Sequence, residues 1–265
     1  DIEKLLGRTE VDLDPARVDA YVRDRVVLVT GAGGSIGSEL CRQVGRCQPQ
    51  QLILLGRGEN SIYHIKNELA SLYPNLQTVC IIGDIRDPKK MDYIFRTHRP
   101  MVVFHAAAHK HVPLMEANPE EAILNNVLGT QNVAQAAIRH HVSKFVMIST
   151  DKAVALSSVM GASKRLAEMM LQQLSQNGTT VFVTVRFGNV LGSRGSVVPL
   201  FERQIRDGGP LTVTHPEMTR YFMSIPEAVR LVLHSGAIGQ NGDLCILDMG
   251  EPVRILDMAE NMIIM

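Results

Sequence analysis

Residues 26–45 restrict the fold more than any other stretch. Val26-Val27-Leu28-Val29-Thr30 is a short, largely β-branched apolar run that suits a buried parallel strand. It leads directly into Gly31-Ala32-Gly33-Gly34-Ser35-Ile36-Gly37, after which a helical pattern covers 38–45. Glycines there let the chain turn tightly and approach a pyrophosphate, whose charge then rests on the helix N-terminus. Strand, glycine turn and helix in that order predict a dinucleotide site on a parallel α/β sheet. A glycine turn that holds no ligand is the alternative.

Bulk properties remove other classes. The 265 residues can bury one large core, or one core and a small lobe. With 27 basic and 27 acidic residues the net charge is zero, which argues against a general nucleic-acid or membrane-surface binder. Any phosphate binding must be local. Cys41, Cys47, Cys80 and Cys245 make no CxxC or metal-ligand spacing, and buried, reduced thiols are expected. His105, His109 and His111 lack the helical HExxH arrangement, so no metal is expected there. No apolar run reaches the ~20 residues a membrane helix needs. The chain begins without methionine and ends within an apolar pattern, as a domain excised from a longer protein would.

Alternation of strand and helix continues along the chain. Residues 51–55 predict a second strand, followed by Arg57 and Glu59. An acid about 20 residues beyond the glycine turn would hold the ribose of NAD, and an arginine there would accommodate the NADP phosphate. Arg57 therefore leans the reading towards NADP over NAD, with Glu59 able to reach the ribose and a plain solvated Arg57 as the alternative. A third strand, 79–82, ends near Asp84 and Ile85, expected at the adenine; a cap for the helix at Pro88 is the other role open to Asp84. A fourth strand, 101–105, leads into Ala106, Ala107 and Ala108, small enough for close passage of the cofactor, and then into His109, Lys110 and His111. Lys110 is taken with the cofactor and His109 with the substrate. Over 119–139 the pattern is helical, although Asn125, Asn126 and Gly129 are poor helix formers, which suggests a packing or site role; Asn125 is assigned to the substrate.

The fifth strand, 144–149, delivers Thr150, Asp151 and Lys152 at its C-terminal end, the edge where open α/β sheets bind ligands. A sixth strand, 181–186, precedes a glycine-rich loop over 187–197, in which Asn189, Ser196 and Val197 are candidates to line a sugar-nucleotide pocket together with Arg220. A helix over 198–207, a short strand over 211–214 and a helix over 226–235 complete the pattern. The expected architecture is α/β: a Rossmann-type doubly wound parallel sheet with a smaller C-terminal substrate-binding lobe. Residues 1–24 are a lead-in and 25–186 the dinucleotide-binding domain. Residues 187–265 are mainly the lobe, with elements returning to the core.

GAGGSIGSEL, GDIRD, AAAHKHVPLME, NNVLGTQNV, STDKAV, VMGASKR and VRFGNVLGSRGSV together resemble the extended short-chain dehydrogenase/reductases. Within them the match is to nucleotide-sugar 4,6-dehydratases of the CapD-like polysaccharide-biosynthesis type, from about Leu5 to the end. STDKAV followed by VMGASK resembles the large membrane-anchored branch, in which methionine (Met160 here) replaces the catalytic tyrosine. Ala155-Leu156-Ser157-Ser158 departs from that branch's Asn-Pro-Thr-Asn-like segment. The resemblance implies the cytoplasmic domain of an inner- or plasma-membrane protein, anchored by a segment outside this sequence, and a homo-oligomer. It further implies NAD(P)-dependent dehydration of a UDP-N-acetylhexosamine, most often UDP-N-acetylglucosamine, to the 4-keto-6-deoxy sugar.

In that chemistry Asp151 is assigned as acid at the C6 oxygen and Lys152 as base at C5. Both roles require desolvation in a closed site. Lys164 lies four residues after Met160 on one helix face and keeps the lysine's hold on the nicotinamide ribose. Met160 cannot carry a proton, so Thr150, Asp151 or a water must take the proton of the C4 hydroxyl, Asp151 or a water ranking first. A helix cap, a surface lysine and a core methionine are the plain alternatives for Asp151, Lys152 and Met160. A C4 epimerase and a catalytically silent NAD(P) sensor are the competing functions.

Overall fold

The computed structural model describes residues 14–176, 178–193 and 195–264. The Leu5–Arg8 part of the lead-in and Arg194 of the glycine-rich loop lie outside these residues. In chain order the strands are β1 (Val26–Thr30), β2 (Gln51–Gly56), β3 (Thr78–Ile82), β4 (Val102–His105), β5 (Lys144–Thr150), β6 (Val181–Phe187), β7 (Asn189–Val190), β8 (Thr219–Arg220), β9 (Phe222–Met223), β10 (Asp243–Ile246) and β11 (Val253–Arg254). Seven of them form one parallel sheet in the order β10-β6-β5-β4-β1-β2-β3. The order reverses direction between β1 and β4, and that is the switch point at which such sheets open a crevice.

The helices are α1 (Pro15–Val22), α2 (Ser35–Arg46), α3 (Glu59–Leu72), α4 (Pro88–His98), α5 (Val112–Ala117), α6 (Pro119–Ala122), α7 (Thr130–Arg139), α8 (Lys152–Ala155), α9 (Val159–Ser175), α10 (Val197–Arg206), α11 (Ile225–Ile238) and α12 (Ile255–Ile264). Alternation along the central strands divides the apolar residues between two faces. Val27, Val29, Leu52, Leu54 and Phe104 pack with Leu40 and Val44 of α2 and Val229 and Val232 of α11. Leu28, Ile53, Leu55, Val103 and Phe145 pack on the other side with Phe95, Val133 and Leu171. A third cluster, built around Phe201, Phe222 and Met258, holds the late elements together.

Helix starts follow local chemistry. Asp87 accepts from the backbone N–H groups of Lys89 and Lys90 ahead of Pro88, so Asp87, not Asp84, caps α4. Ser158 and Ser224 cap α9 and α11 in the same way. Other expectations shift. The helix after the glycine turn starts at Ser35, three residues earlier than its apolar pattern. Residues 211–214 form no strand, because the Thr212 N–H donates to the Gln204 side chain in place of a neighbouring strand. The 119–139 helix is continuous but contains a π-helical segment, Ile123–Gly129. All four cysteines are free; Cys41 is buried, Cys47 and Cys245 are half-buried, and Cys80 is exposed, so uniform burial of the thiols does not hold. Among the described residues no helix is long and apolar enough to cross a membrane.

Candidate active site

The glycine turn is a tight cradle. Gly31 has φ +67°, and a Cβ there would come within 2.8 Å of the Ala106 and Ala107 backbone. A Cβ on Gly37 would stand 2.0 Å from the Gly31 carbonyl oxygen, so the first turn of α2 sits directly on the loop. Gly33 backs onto Ser61, and Gly34 precedes Ser35 and Ile36 at the start of α2. The turn thus puts a helix N-terminus at the switch point, with Ala106 and Ala107 opposite. Ala108 follows in the exposed part of the same segment.

One buried residue fixes this juxtaposition. His105 Nδ1 lies 2.8 Å from Thr30 Oγ1, and its Nε2 lies 2.9 Å from Thr130 Oγ1. The Thr130 hydroxyl donates to the Asn126 carbonyl, so the hydrogen-bond network assigns the ring proton to Nε2. Burial, with the nearby Lys164 charge, pushes the His105 pKa down to about 3 and keeps the ring neutral.

Beyond β3, Asp84 is heavily committed. Its carboxylate accepts from Arg86 Nε at 2.9 Å, Nη2 at 2.7 Å and backbone N–H at 2.9 Å, and from Arg57 Nη1 at 3.4 Å. Burial alone would raise its pKa, but the Arg86 hydrogen bonds prevail and bring it to about 2. Arg57 is half exposed. Ile85 is buried in the second core against Gly129, so its side chain is a packing residue.

Asn126 shapes the segment after β4. Its side chain accepts from the His109 N–H at 2.8 Å and donates to the His109 carbonyl at 2.9 Å, which mimics a strand partner. It also donates to Ser163 Oγ, whose hydroxyl donates to the Met160 carbonyl. Successive side chains of an extended segment point to opposite sides. His109 accordingly lies 3.7 Å from Glu121, the partner of Arg86, while Lys110 Nζ reaches Ser193 Oγ at 3.3 Å in the glycine-rich loop. Lys110 thus faces the glycine-rich loop, and His109 faces the Asp84–Arg86–Glu121 group. His111 packs against Gly195. Asn125 is buried and donates to Asn126, outside the lining of the cavity described below.

The C-terminal ends of β5 and β6 bring the polar groups together. Thr150 Oγ1 donates to Asp151 Oδ1 at 2.9 Å, and Lys152 Nζ donates to the same oxygen at 3.0 Å and to Asn189 Oδ1 at 3.0 Å. The Asp151 N–H donates to the Phe187 carbonyl, tying the two strand ends. About a third of each of the Asp151 and Lys152 side chains is exposed. The closed environment expected for them is absent from this arrangement, and a ligand would have to complete it.

Met160 is buried with Met115 and Ala122 in a small apolar cluster. Lys164 is buried, donates to the Ile148 carbonyl at 2.7 Å, and is held down to about pKa 8 by burial against the opposing pull of Glu168. Glu168 was not legible as a site residue. It accepts from Ser149 Oγ at 2.5 Å, from Arg186 through two nitrogens and from Arg165 at 3.2 Å. Its i+4 spacing from Lys164 was the available signal.

Beyond Asn189 opens a cavity of about 520 Å³, lined in part by Ser196, Val197, Arg203, Met218 and Arg220. Ser196 stands at the N-cap of α10, and its buried hydroxyl has no hydrogen-bond partner among the described residues.

Asn189 links the polar strand edge to the cavity, since it accepts from Lys152 and lines that cavity. A model of the family described as polysaccharide biosynthesis protein matches residues 27–265. The chain belongs to this family. It is 60% identical, over 99% of its length, to the capsular polysaccharide biosynthesis protein CapD of Staphylococcus aureus. It is 55% identical, over 98%, to the probable polysaccharide biosynthesis protein EpsC of Bacillus subtilis. In both cases it spans 44% of the relative's length. A UDP-glucose 4-epimerase of Rickettsia massiliae is 38% identical over 84% of the chain and 66% of that protein. Among solved structures, Pen from Bacillus thuringiensis superposes with TM-score 0.86 at 36% identity, over 92% of this chain and 76% of that one. The NAD-bound dTDP-glucose 4,6-dehydratase DesIV of Streptomyces venezuelae shares the fold at TM-score 0.80 and 22% identity, over 89% and 79% of the two chains. The polysaccharide biosynthesis family member described here has the extended short-chain dehydrogenase/reductase architecture.

Proposed function

We propose that the chain removes water from a UDP-N-acetylhexosamine, UDP-N-acetylglucosamine first, to give the UDP-4-keto-6-deoxy sugar for polysaccharide synthesis. The observation that carries this reading is the hydrogen-bonded Thr150–Asp151–Lys152–Asn189 group at the C-terminal ends of the parallel strands, with Asn189 also lining the cavity. Gly31, Gly33 and Gly37 fit a dinucleotide, because a side chain on any of them would collide with the backbone or helix behind it. Bound NAD or NADP supplies a hydride acceptor at C4 and a hydride donor at C6. The buried, unpartnered Ser196 hydroxyl at a helix N-terminus, with Arg203 and Arg220 in the same cavity, suits a nucleoside diphosphate.

The chain's own residues account for the protons. Thr150 passes the C4 hydroxyl proton towards Asp151, to which it is already hydrogen-bonded. Lys152 takes the C5 proton as Asp151 delivers one to the departing C6 oxygen, and Lys152 later returns its proton to C5. Thr150 and Lys152 both donate to Asp151 Oδ1, while no donor among the described residues reaches Oδ2. Oδ2 is therefore the oxygen that can carry the proton for C6. Accepting the C4 proton needs Asp151 ionised and accepting the C5 proton needs Lys152 neutral, so the competent pair holds one proton fewer than the resting ion pair. Lys152 gives that proton to solvent before C4 oxidation, and delivery to the C6 oxygen and return to C5 restore the same state.

A C4 epimerase is the second reading, favoured by the Rickettsia relative's name. Epimerisation shares the C4 oxidation and can use Asp151 there, but it removes no C5 proton and so leaves Lys152 without a task. Incubating purified protein and its identified cofactor with UDP-N-acetylglucosamine, followed by NMR, separates the two. Dehydration gives a 4-keto-6-deoxy product; a C4-inverted sugar with no loss of water would replace this reading by the epimerase.

A further inference from the structure

The geometry points to Asn189 as a positioning residue that aims the nitrogen lone pair of Lys152 at the substrate. This rests on the reading that Lys152 removes the C5 proton. A neutral lysine amine has two N–H bonds and one lone pair in tetrahedral arrangement. Both N–H directions are occupied here: Asp151 Oδ1 and Asn189 Oδ1 each lie 3.0 Å from Nζ. With those two donors engaged, the lone pair takes the remaining direction. Without an acceptor at Asn189, rotation about the last carbon–nitrogen bond exchanges an N–H with the lone pair, and the base points at C5 only part of the time.

Asn189 is itself held firmly. It sits in β7, which pairs with β9, and its N–H donates to the Tyr221 carbonyl at 3.0 Å. Asn189 also lines the cavity of about 520 Å³. A direct substrate contact is thus the competing role, and the sequence alone assigns only that one. The acceptor on Lys152 distinguishes them, because an oriented base affects the proton-transfer step while a substrate contact affects binding.

The experiment compares wild type with Asn189→Leu, which keeps the side-chain volume and removes the acceptor, and with Asn189→Asp, which restores an acceptor oxygen. Wild-type turnover of UDP-N-acetylglucosamine is measured first; absence of the 4-keto-6-deoxy product defeats the dehydratase reading itself. Given that product, Asn189→Leu is expected to lower kcat about 10- to 100-fold, with KM changed less than about threefold. The isotope effect with C5-deuterated substrate is expected to rise, and Asn189→Asp to recover part of kcat. A raised KM with unchanged kcat in Asn189→Leu would overturn the positioning role in favour of a substrate contact. An unchanged isotope effect alongside a lowered kcat would overturn it as well. Circular dichroism of each variant checks that the fold is retained.

Discussion

Two carboxylates stand near the C-terminal end of β5, and they have opposite surroundings. Glu168 is buried and receives donors from Ser149, Arg165 and Arg186, so the ends of β5 and β6 and the helix carrying Lys164 are tied to one group. Asp151 is about a third exposed and shares its lysine with Asn189. The residue types are the same, an acid beside a base. Burial and the number of fixed partners make the first a frame, while the second is the one proposed to exchange protons.

The largest effect should come from breaking the frame. Glu168→Ala leaves the Arg186 charge buried without its partner and should cost about 3–5 kcal/mol in urea unfolding. A loss below ~1 kcal/mol would mean that the buried pair frames nothing. On the exposed side, Lys152→Ala should lower turnover by about 10²- to 10⁴-fold. Wild-type turnover in this variant would remove Lys152 from the chemistry.

His105 belongs to the frame, and its depressed pKa makes stability depend on pH. Below about pH 6.5 the unfolded chain binds a proton that the folded ring refuses until about pH 3. Stability should therefore fall as pH drops through that window, by an amount on the order of a few kcal/mol, and level off below it. Urea midpoints at pH 7, 5 and 4 measure the slope, and His105→Gln should flatten it; an unaltered slope in that variant would assign it to other groups.

Lys164 gives a smaller effect in the alkaline range. Its pKa in the folded protein is about 8, so its charge, and with it the hold on a ribose hydroxyl proposed for it, fades as pH rises through 8. Cofactor affinity measured from pH 7 to 9 should weaken by up to about tenfold per unit above that point. Affinity independent of pH would place the ribose elsewhere. The smallest change is expected at the exposed pair: Asp151→Asn should alter unfolding free energy by less than about 1 kcal/mol while turnover is lost. A larger destabilisation would erase the contrast with Glu168.

Local signals carried much of this in the sequence. The glycine turn, the Asp87-Pro88 cap and the apolar runs each fix their element within a few residues. What escaped reading depends on distant partners. Residues 211–214 look like a strand but have no neighbour to pair with, whereas β10, a short polar–apolar edge strand, exists only because β6 lies beside it. Glu168 and Arg186 are 18 residues apart, and nothing between them announces the pair. The opposite facing of His109 and Lys110 accompanies the Asn126 clamp, a contact across 17 residues.

That clamp depends on how many residues its helix contains. A π-helical segment is an α-helix holding one residue in excess, and here the surplus falls at Ile123–Gly129, around Asn125 and Asn126. Each residue of an α-helix turns the following ones by about 100°. Deleting one position from this segment would let the helix relax to ordinary winding with its flanking turns nearly in their present facing, while Asn125 and Asn126, inside the surplus, would lose theirs. The grip on residue 109 is thus encoded in chain length as much as in side-chain identity, and a scan of point substitutions that keeps the length constant would leave that part of the code unread.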